Sequence, residues 1–267
     1  MKSVLLVGKN SLLASALIRF NEGQHAIEAV SHDADWDLLD WDRFDIVVSM
    51  ASNPRYMREP YQQAIDFERS LAERVRLARC HYMMLSTRRV YGRYAPIPAD
   101  ESATTNPDDN YGRNKLTTEQ AVQGILAERC TILRVSNVFD FEPGRHTFFG
   151  IALRTLKEEG RIVLDVSPYV RRDFLHAEDF ATMLLRVIDH VPGGILNLGS
   201  GHATEVGRIA LWLLEGFGAG QLLVLTPEER DQFELDITRF ESLFGRVEPK
   251  KDIRTRCLEI GRRLRIE

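Results

Sequence analysis

VLLVGKNSLLASAL, residues 4–17, opens with four apolar residues, turns at a glycine, and continues with apolar residues at helical spacing. A short apolar run without polar alternation reads as a strand covered on both faces, and the spacing beyond Ser11 reads as a helix. A buried strand leading directly into a helix is the building unit of a parallel sheet, because parallel neighbours need a crossover between them. The stretch therefore predicts an α/β chain.

The rest of the sequence repeats that unit. Apolar runs recur at 26–30 (AIEAV), 45–50 (DIVVSM), 81–86 (HYMMLS), 131–138 (TILRVSNV), 161–166 (RIVLDV) and 194–199 (GILNLG), with helical patterns at 11–21, 61–79, 111–128 and 147–159. Strand and helix alternating over the first 140 residues predicts right-handed crossovers and a doubly wound parallel sheet. Beyond residue 140 the rhythm loosens and Pro and Gly mark longer loops. Residues 1–140 are expected to form the sheet domain, and 141–267 mostly a smaller cap with segments returning to the sheet.

Composition narrows the function. The chain has 35 basic and 39 acidic residues, a net charge of −4, and no long same-sign run. Such a field favours neither nucleic acid nor an anionic membrane. The mildly basic tail RTRCLEIGRRLRIE reads as a solvated terminal helix. Cys80, Cys130 and Cys257 are far apart and odd in number, which argues against a disulfide framework or zinc knuckle and for a reducing, cytoplasmic setting. The histidines show no metal-ligand spacing, so no metal is expected. MKSVLLVG is too short an apolar run for a signal peptide, and no stretch is long enough to span a membrane.

In doubly wound sheets a ligand lies beyond the carboxyl ends of the strands, where the winding reverses. The first such window nominates Gly8, Lys9, Asn10, Ser11, Leu12 and Leu13. A dinucleotide turn wants three glycines, and here Gly8 stands with Ser11 and Ala14 in the spacing G-x-x-G-x-x-G. Both substitutes are small, so a pyrophosphate could still meet the helix N-terminus. The second window holds Ser31, His32 and Asp37, with no acidic residue at the head to read a ribose 2′-hydroxyl. Lys9 could reach a 2′-phosphate, which tilts the expectation slightly from NAD(H) to NADP(H). His32 is read as a loop residue or a ring stacked on adenine. The third window holds Met50, Ala51 and Ser52.

NPDDNYGRNKLTTEQAV, residues 106–122, sets Tyr111 and Lys115 one helical turn apart. A free phenol exchanges protons poorly near neutrality, and a cation one turn away favours the phenolate, so the pair makes sense as an acid/base unit. Ser86 and Thr87, at the end of HYMMLST, offer a hydroxyl to orient a reacting carbonyl.

On these blocks the chain resembles the extended short-chain dehydrogenase/reductases, the NAD-dependent epimerase/dehydratase family that modifies nucleotide sugars. LLVGKNSLLA matches the glycine turn, DIVVSMAS the fourth strand, LSTRRVYG the active-site strand, YGRNK the catalytic pair, LRVSNVFD the sixth strand, RRDFLHAEDFA a substrate-side loop, and ILNLGSG a stretch near the cap. The resemblance implies a Rossmann sheet with a substrate-binding cap. It implies Tyr111 as general acid or base, Lys115 as its partner and ribose ligand, and Thr87, or Ser86 in the other register, on the carbonyl. It further implies Asn137 as a substrate contact and Arg172 as a ligand of the nucleotide diphosphate. Asn137 could instead cap a strand end, and Arg172 could pair with Asp173 or Asp179. The family's paired helices form a dimer bundle, so a homodimer is expected through 61–79 and 111–128, whose stripe includes Ile65, Leu71 and Val75.

Dehydratases of the family carry an acidic pair after the threonine, and here Arg88 and Arg89 stand there, which argues against 4,6-dehydration. Reduction of a keto sugar needs one hydride and one proton and is preferred. A 4-epimerase with retained NAD is the alternative, and a catalytically inactive dinucleotide-binding scaffold or sensor the second.

Overall fold

The computed structural model describes residues 1–51 and 53–267. The elements run β1 (Ser3–Val7), α1 (Leu12–Phe20), β2 (Ala26–Val30), β3 (Ile46–Ser49), α2 (Phe67–Leu77), β4 (His81–Thr87), α3 (Asn110–Leu126) and β5 (Cys130–Val135). They continue with β6 (Asn137–Phe139), α4 (Phe148–Glu159), β7 (Arg161–Leu164), β8 (Arg171–His176), α5 (Ala177–His190) and β9 (Gly194–Leu198). The chain ends through β10 (Ala203–Glu205), α6 (Val206–Phe217), β11 (Gln221–Val224), α7 (Thr238–Phe244) and α8 (Ile253–Ile266).

Six strands form one parallel sheet in the order β2-β1-β3-β4-β5-β9. The winding reverses between β1 and β3, as the doubly wound reading requires. Strand residues alternate between two cores. Val4, Leu6, Met83 and Leu85 pack with Leu17 of α1 and Met183 and Leu184 of α5. Leu5, Val7, Tyr82 and Met84 pack with Leu71 and Val75 of α2 and Val122 and Leu126 of α3. The strands are apolar throughout because both faces are covered.

Several elements differ from the sequence reading. RIVLDV does not join the main sheet, because β7 pairs with β11 alone. TILRVSNV is broken at Ser136, whose N–H donates to Leu198 O, and the chain then turns off to pair β6 with β8. Only Phe67–Leu77 of the 61–79 pattern is α-helix, because Asp66 caps it by accepting the Arg69 N–H. Among the described residues no strand lies between β2 and β3, where two 3₁₀ turns occupy the interval. DIVVSMAS, the family's fourth strand, is therefore third in this chain.

A third core joins α4, α6 and α8 through Leu153, Leu156, Ile209, Leu213 and Leu264. Beside it β10, β8 and β6 form a three-stranded sheet. The basic tail is thus more than a solvated helix, since α8 buries Cys257, Ile260 and Leu264 against α6 while its arginines face outward, except buried Arg256. Of the stripe offered for a dimer, Leu71 and Val75 are fully buried in the chain's own core against the sheet, while Ile65 is half-buried. Among the described residues no helix is long and apolar enough to cross a membrane.

Candidate active site

The site begins at the turn after β1. Gly8 adopts φ +101°, and a Cβ there would meet Ala51 N at 2.7 Å, so the turn and the segment after β3 are pressed together where only glycine fits. Gly8 and Lys9 both donate N–H groups to Val30 O, at 2.9 and 3.1 Å, which ties the turn to β2. Ser11 caps α1 by accepting the Ala14 N–H at 3.1 Å, while Ala14 is fully buried and gives the close helix packing a third glycine would provide. The N–H groups of Leu12 and Leu13 take no partner among the described residues. The cradle therefore keeps helix-end donors for an anion despite its two missing glycines, and it fits a dinucleotide pyrophosphate.

Ser31 hydrogen-bonds Asp33 and holds that carboxyl below its usual range. His32 lies 6.2 Å from the Phe67 ring, and Asp37 pairs with Arg74. Lys9 and Asn10 are exposed, and Lys9 makes no ion pair among the described residues. Met50 is buried, its N–H donating to Val7 O at 2.9 Å, and Ala51 is half-buried. Ser52 lies outside the described residues.

The end of β4 carries the nominated hydroxyls, and their partners separate them. Ser86 faces α3 and donates its hydrogen to Glu119, which also takes Arg134 at 2.8 Å, all three being buried. Thr87 Oγ1 accepts the Arg89 N–H at 3.3 Å, which leaves its own hydrogen available. The structure thus engages one hydroxyl and frees the other.

Asp109 caps α3 by accepting the Gly112 N–H at 2.8 Å. Gly112 lies so close to the turn after Thr87 that a Cβ would meet Arg89 O at 2.7 Å, and this contact carries Tyr111 to the strand end. Tyr111 is half-buried, with Arg89 5.6 Å from its ring centroid and Arg89 in turn paired with Asp109. Lys115 is 2% exposed, donates to Leu85 O at 2.8 Å, and lies 3.6 Å from Glu68 Oε1. No hydrogen bond joins the Tyr111 hydroxyl to Lys115 or Thr87 among the described residues. The structure gathers Ser86, Thr87, Tyr111 and Lys115 at one strand end but does not link the phenol directly to the ammonium.

Arg172 pairs with neither Asp173 nor Asp179. Asp173 is fully buried, accepting from Ser200 N and Leu235 N, and Asp179 lies three positions into α5. Instead Arg172 Nε donates to Asp231 O at 3.1 Å and Nη2 lies 3.4 Å from the Asp231 carboxylate. Arg88 grips the same carboxylate with two bonds, at 2.6 and 2.9 Å, and stacks 3.8 Å from the Phe233 ring centroid. Burial alone would raise Asp231, yet the bonds and charge of Arg88, with Arg172, hold its carboxyl below the usual range. Asn137 is half-buried at the start of β6, and its amide has no partner among the described residues.

Sequence reasoning missed Glu68, Glu119, Arg134 and Asp231. Two of these left a signal. Glu68 shares its helix face with Leu71, Ala72 and Val75, and Arg134 interrupts an apolar strand, so each is a charge in an apolar register that demands a partner.

Comparison with known proteins follows the same outline. The family model "NAD dependent epimerase/dehydratase family" matches residues 11–199. A UDP-glucose 4-epimerase from Azospirillum brasilense is 28% identical over 156 residues, covering 50% of this chain and 45% of the relative. A dTDP-4-keto-6-deoxy-D-glucose reductase from Streptomyces niveus is 30% identical over 128 residues, covering 48% of this chain and 41% of the relative. Each match thus spans less than half of the relative's length. The structure of RMD from Pseudomonas aeruginosa complexed with NADPH superposes with a TM-score of 0.81 at 19% identity, covering 100% of both chains, which bears on the fold alone. With a sheet of the expected winding and a family match over more than half its length, the chain belongs to the NAD-dependent epimerase/dehydratase family.

Proposed function

We propose that the protein reduces a keto group on a nucleotide-linked sugar at the expense of NAD(P)H, with Tyr111 as the proton donor. The observation that carries this reading is the division of labour at the end of β4. Ser86 is committed to Glu119, while the Thr87 hydrogen and the Tyr111 phenol are both uncommitted. When bound, the dinucleotide supplies hydride at this strand end. Gly8, Ser11 and the N–H groups of Leu12 and Leu13 would hold its pyrophosphate, and exposed Lys9 suits a 2′-phosphate, which supports the slight lean to NADP(H). Thr87 donates to the carbonyl oxygen and Tyr111 delivers a proton to it as negative charge develops.

Arg88 and Arg172 meet on Asp231, which serves as their counter-charge, and the two guanidiniums together suit an anionic diphosphate. Arg89 is likewise paired, with Asp109. No carboxylate therefore stands directly after Thr87 to remove a carbon-bound proton, which speaks against dehydration. The 4-epimerase of similar identity keeps a second reading open, in which the same residues act in both directions on retained NAD.

Replacing Tyr111 with Phe tests the reading. Turnover of keto nucleotide sugars by the variant is expected to fall about 100-fold or more. Turnover that survives the change rules out Tyr111 as the donor. Stoichiometric NAD(P)H consumption by the parent marks a reductase, whereas NAD carried through purification marks an epimerase.

A further inference from the structure

The neighbours of Lys115 explain more than its burial. β3 pairs with β4 only as far as Ser49 opposite Met84, one residue short of Leu85, whose carbonyl accepts from Lys115 Nζ at 2.8 Å. On another side the ammonium lies 3.6 Å from Glu68 Oε1. Glu68 is fully buried on α2, its Oε2 accepting the Tyr82 hydroxyl hydrogen and its Oε1 having no hydrogen-bond partner among the described residues. Burial raises the Glu68 carboxyl, and the Lys115 charge acts against that rise.

Such a pair is a poor device for stability. Burying two charges is strongly unfavourable, and an apolar pair of similar size often does as well. Glu68 shares its face with Leu71, Ala72 and Val75, where a leucine would extend the core. What the carboxylate adds is a fixed position for a flexible ammonium, which has three hydrogens to donate. Leu85 O takes one and Glu68 orients a second, leaving the third.

We infer that Glu68 is a positioning residue for Lys115, holding its ammonium beside the strand end in the pose that meets a bound dinucleotide. This rests on the reading of Lys115 as a dinucleotide ligand. Without the carboxylate the ammonium loses its anchor on α2, and dinucleotide binding weakens before proton transfer at Tyr111 suffers.

The test is titration of NADPH and NADH into the full chain, followed by nicotinamide fluorescence, for the parent, Glu68→Gln, Tyr82→Phe and Lys115→Met. Kinetics and thermal unfolding are followed in parallel. Glu68→Gln keeps the side-chain size and is expected to weaken dinucleotide binding about tenfold, the size of one lost charge-assisted contact, with a larger change in KM than in kcat. Tyr82→Phe loosens the carboxylate without removing its charge, and a smaller loss of about threefold is expected, which keeps the test alive if Glu68→Gln does not fold. A purely structural role would lower the thermal midpoint and leave the Kd of the folded protein unchanged. Parent-like Kd values in both variants, alongside weakened binding in Lys115→Met, overturn this inference alone. A parent that binds no dinucleotide overturns it together with the reading beneath it.

Discussion

Ser86 and Thr87 are chemically alike and adjacent, yet the pleat of β4 sends them to different partners. The sequence left the choice between them open, because a strand's register is invisible until its neighbours are known. The buried Glu119–Arg134 pair engages Ser86, which favours Thr87 as the proposed hydroxyl on the carbonyl. Thr87→Val is therefore expected to lower turnover about 100-fold with little loss of stability, as for removal of one oxyanion donor. Ser86→Ala should do the reverse, lowering stability by about 1 kcal/mol through the lost bond to a buried carboxylate while turnover stays within a few fold. Steady-state kinetics and chemical denaturation of the two variants check both halves. Glu119 was illegible for a related reason, and Glu68, visible as a charge on an apolar helix face, showed no partner in the sequence. Their partners Lys115 and Arg134 lie far along the chain, and only folding brings the charges together.

At the level of elements, the docking of α3 onto the turn after Thr87 sets the relation between Tyr111 and the strand end. Gly112 is the contact, and Gly112→Ala would force its Cβ against Arg89 O and Pro107 Cβ, both under 3.0 Å. The expected cost is about 1–3 kcal/mol, with a fall in kcat larger than any rise in KM, since the phenol is displaced rather than removed. Denaturation curves and kinetics of that variant measure both. Periodicity exposed most elements, because fully covered strands and amphipathic helices write their burial into the sequence. It did not expose that RIVLDV pairs outside the main sheet, since the short apolar run Ile162–Leu164 looks the same in either location. Nor did it reveal the missing strand between β2 and β3, where Trp36 and Trp41 pack beside the sheet core from 3₁₀ turns instead.

At the scale of the whole molecule, His176 ends β8 and caps α5, just after Phe174, which packs in the core of α4, α6 and α8, and Leu175, which packs in the core shared with α1. Its Nδ1 accepts the Glu178 N–H at 3.2 Å, and its ring lies edge-on to Phe139 at 5.3 Å. Burial lowers its pKa to about 4, with Arg256 acting in the same direction. A depressed histidine contributes stability that is present above its unfolded pKa near 6.5 and is lost as pH falls through the folded value. Asp179 runs the opposite way, since burial raises its carboxyl to about 6, so the bulk pH profile mixes both signs. The difference between parent and His176→Asn isolates the ring. From pH 7 to pH 4 the variant should gain about 2–3 kcal/mol relative to the parent, read from urea denaturation at the two pH values. An unchanged difference would mean that the ring titrates alike in the folded and unfolded states.

The path of the chain also has a consequence for synthesis. The edge strand β9 and the helix α5 that covers α1 come after the first excursion into the core of α4, α6 and α8, so neither is present when residue 140 has been made. Until Leu198 leaves the ribosome, β5 waits with an open flank and α1 with an uncovered side. The two halves are interleaved, and the nascent chain cannot finish the first before beginning the second.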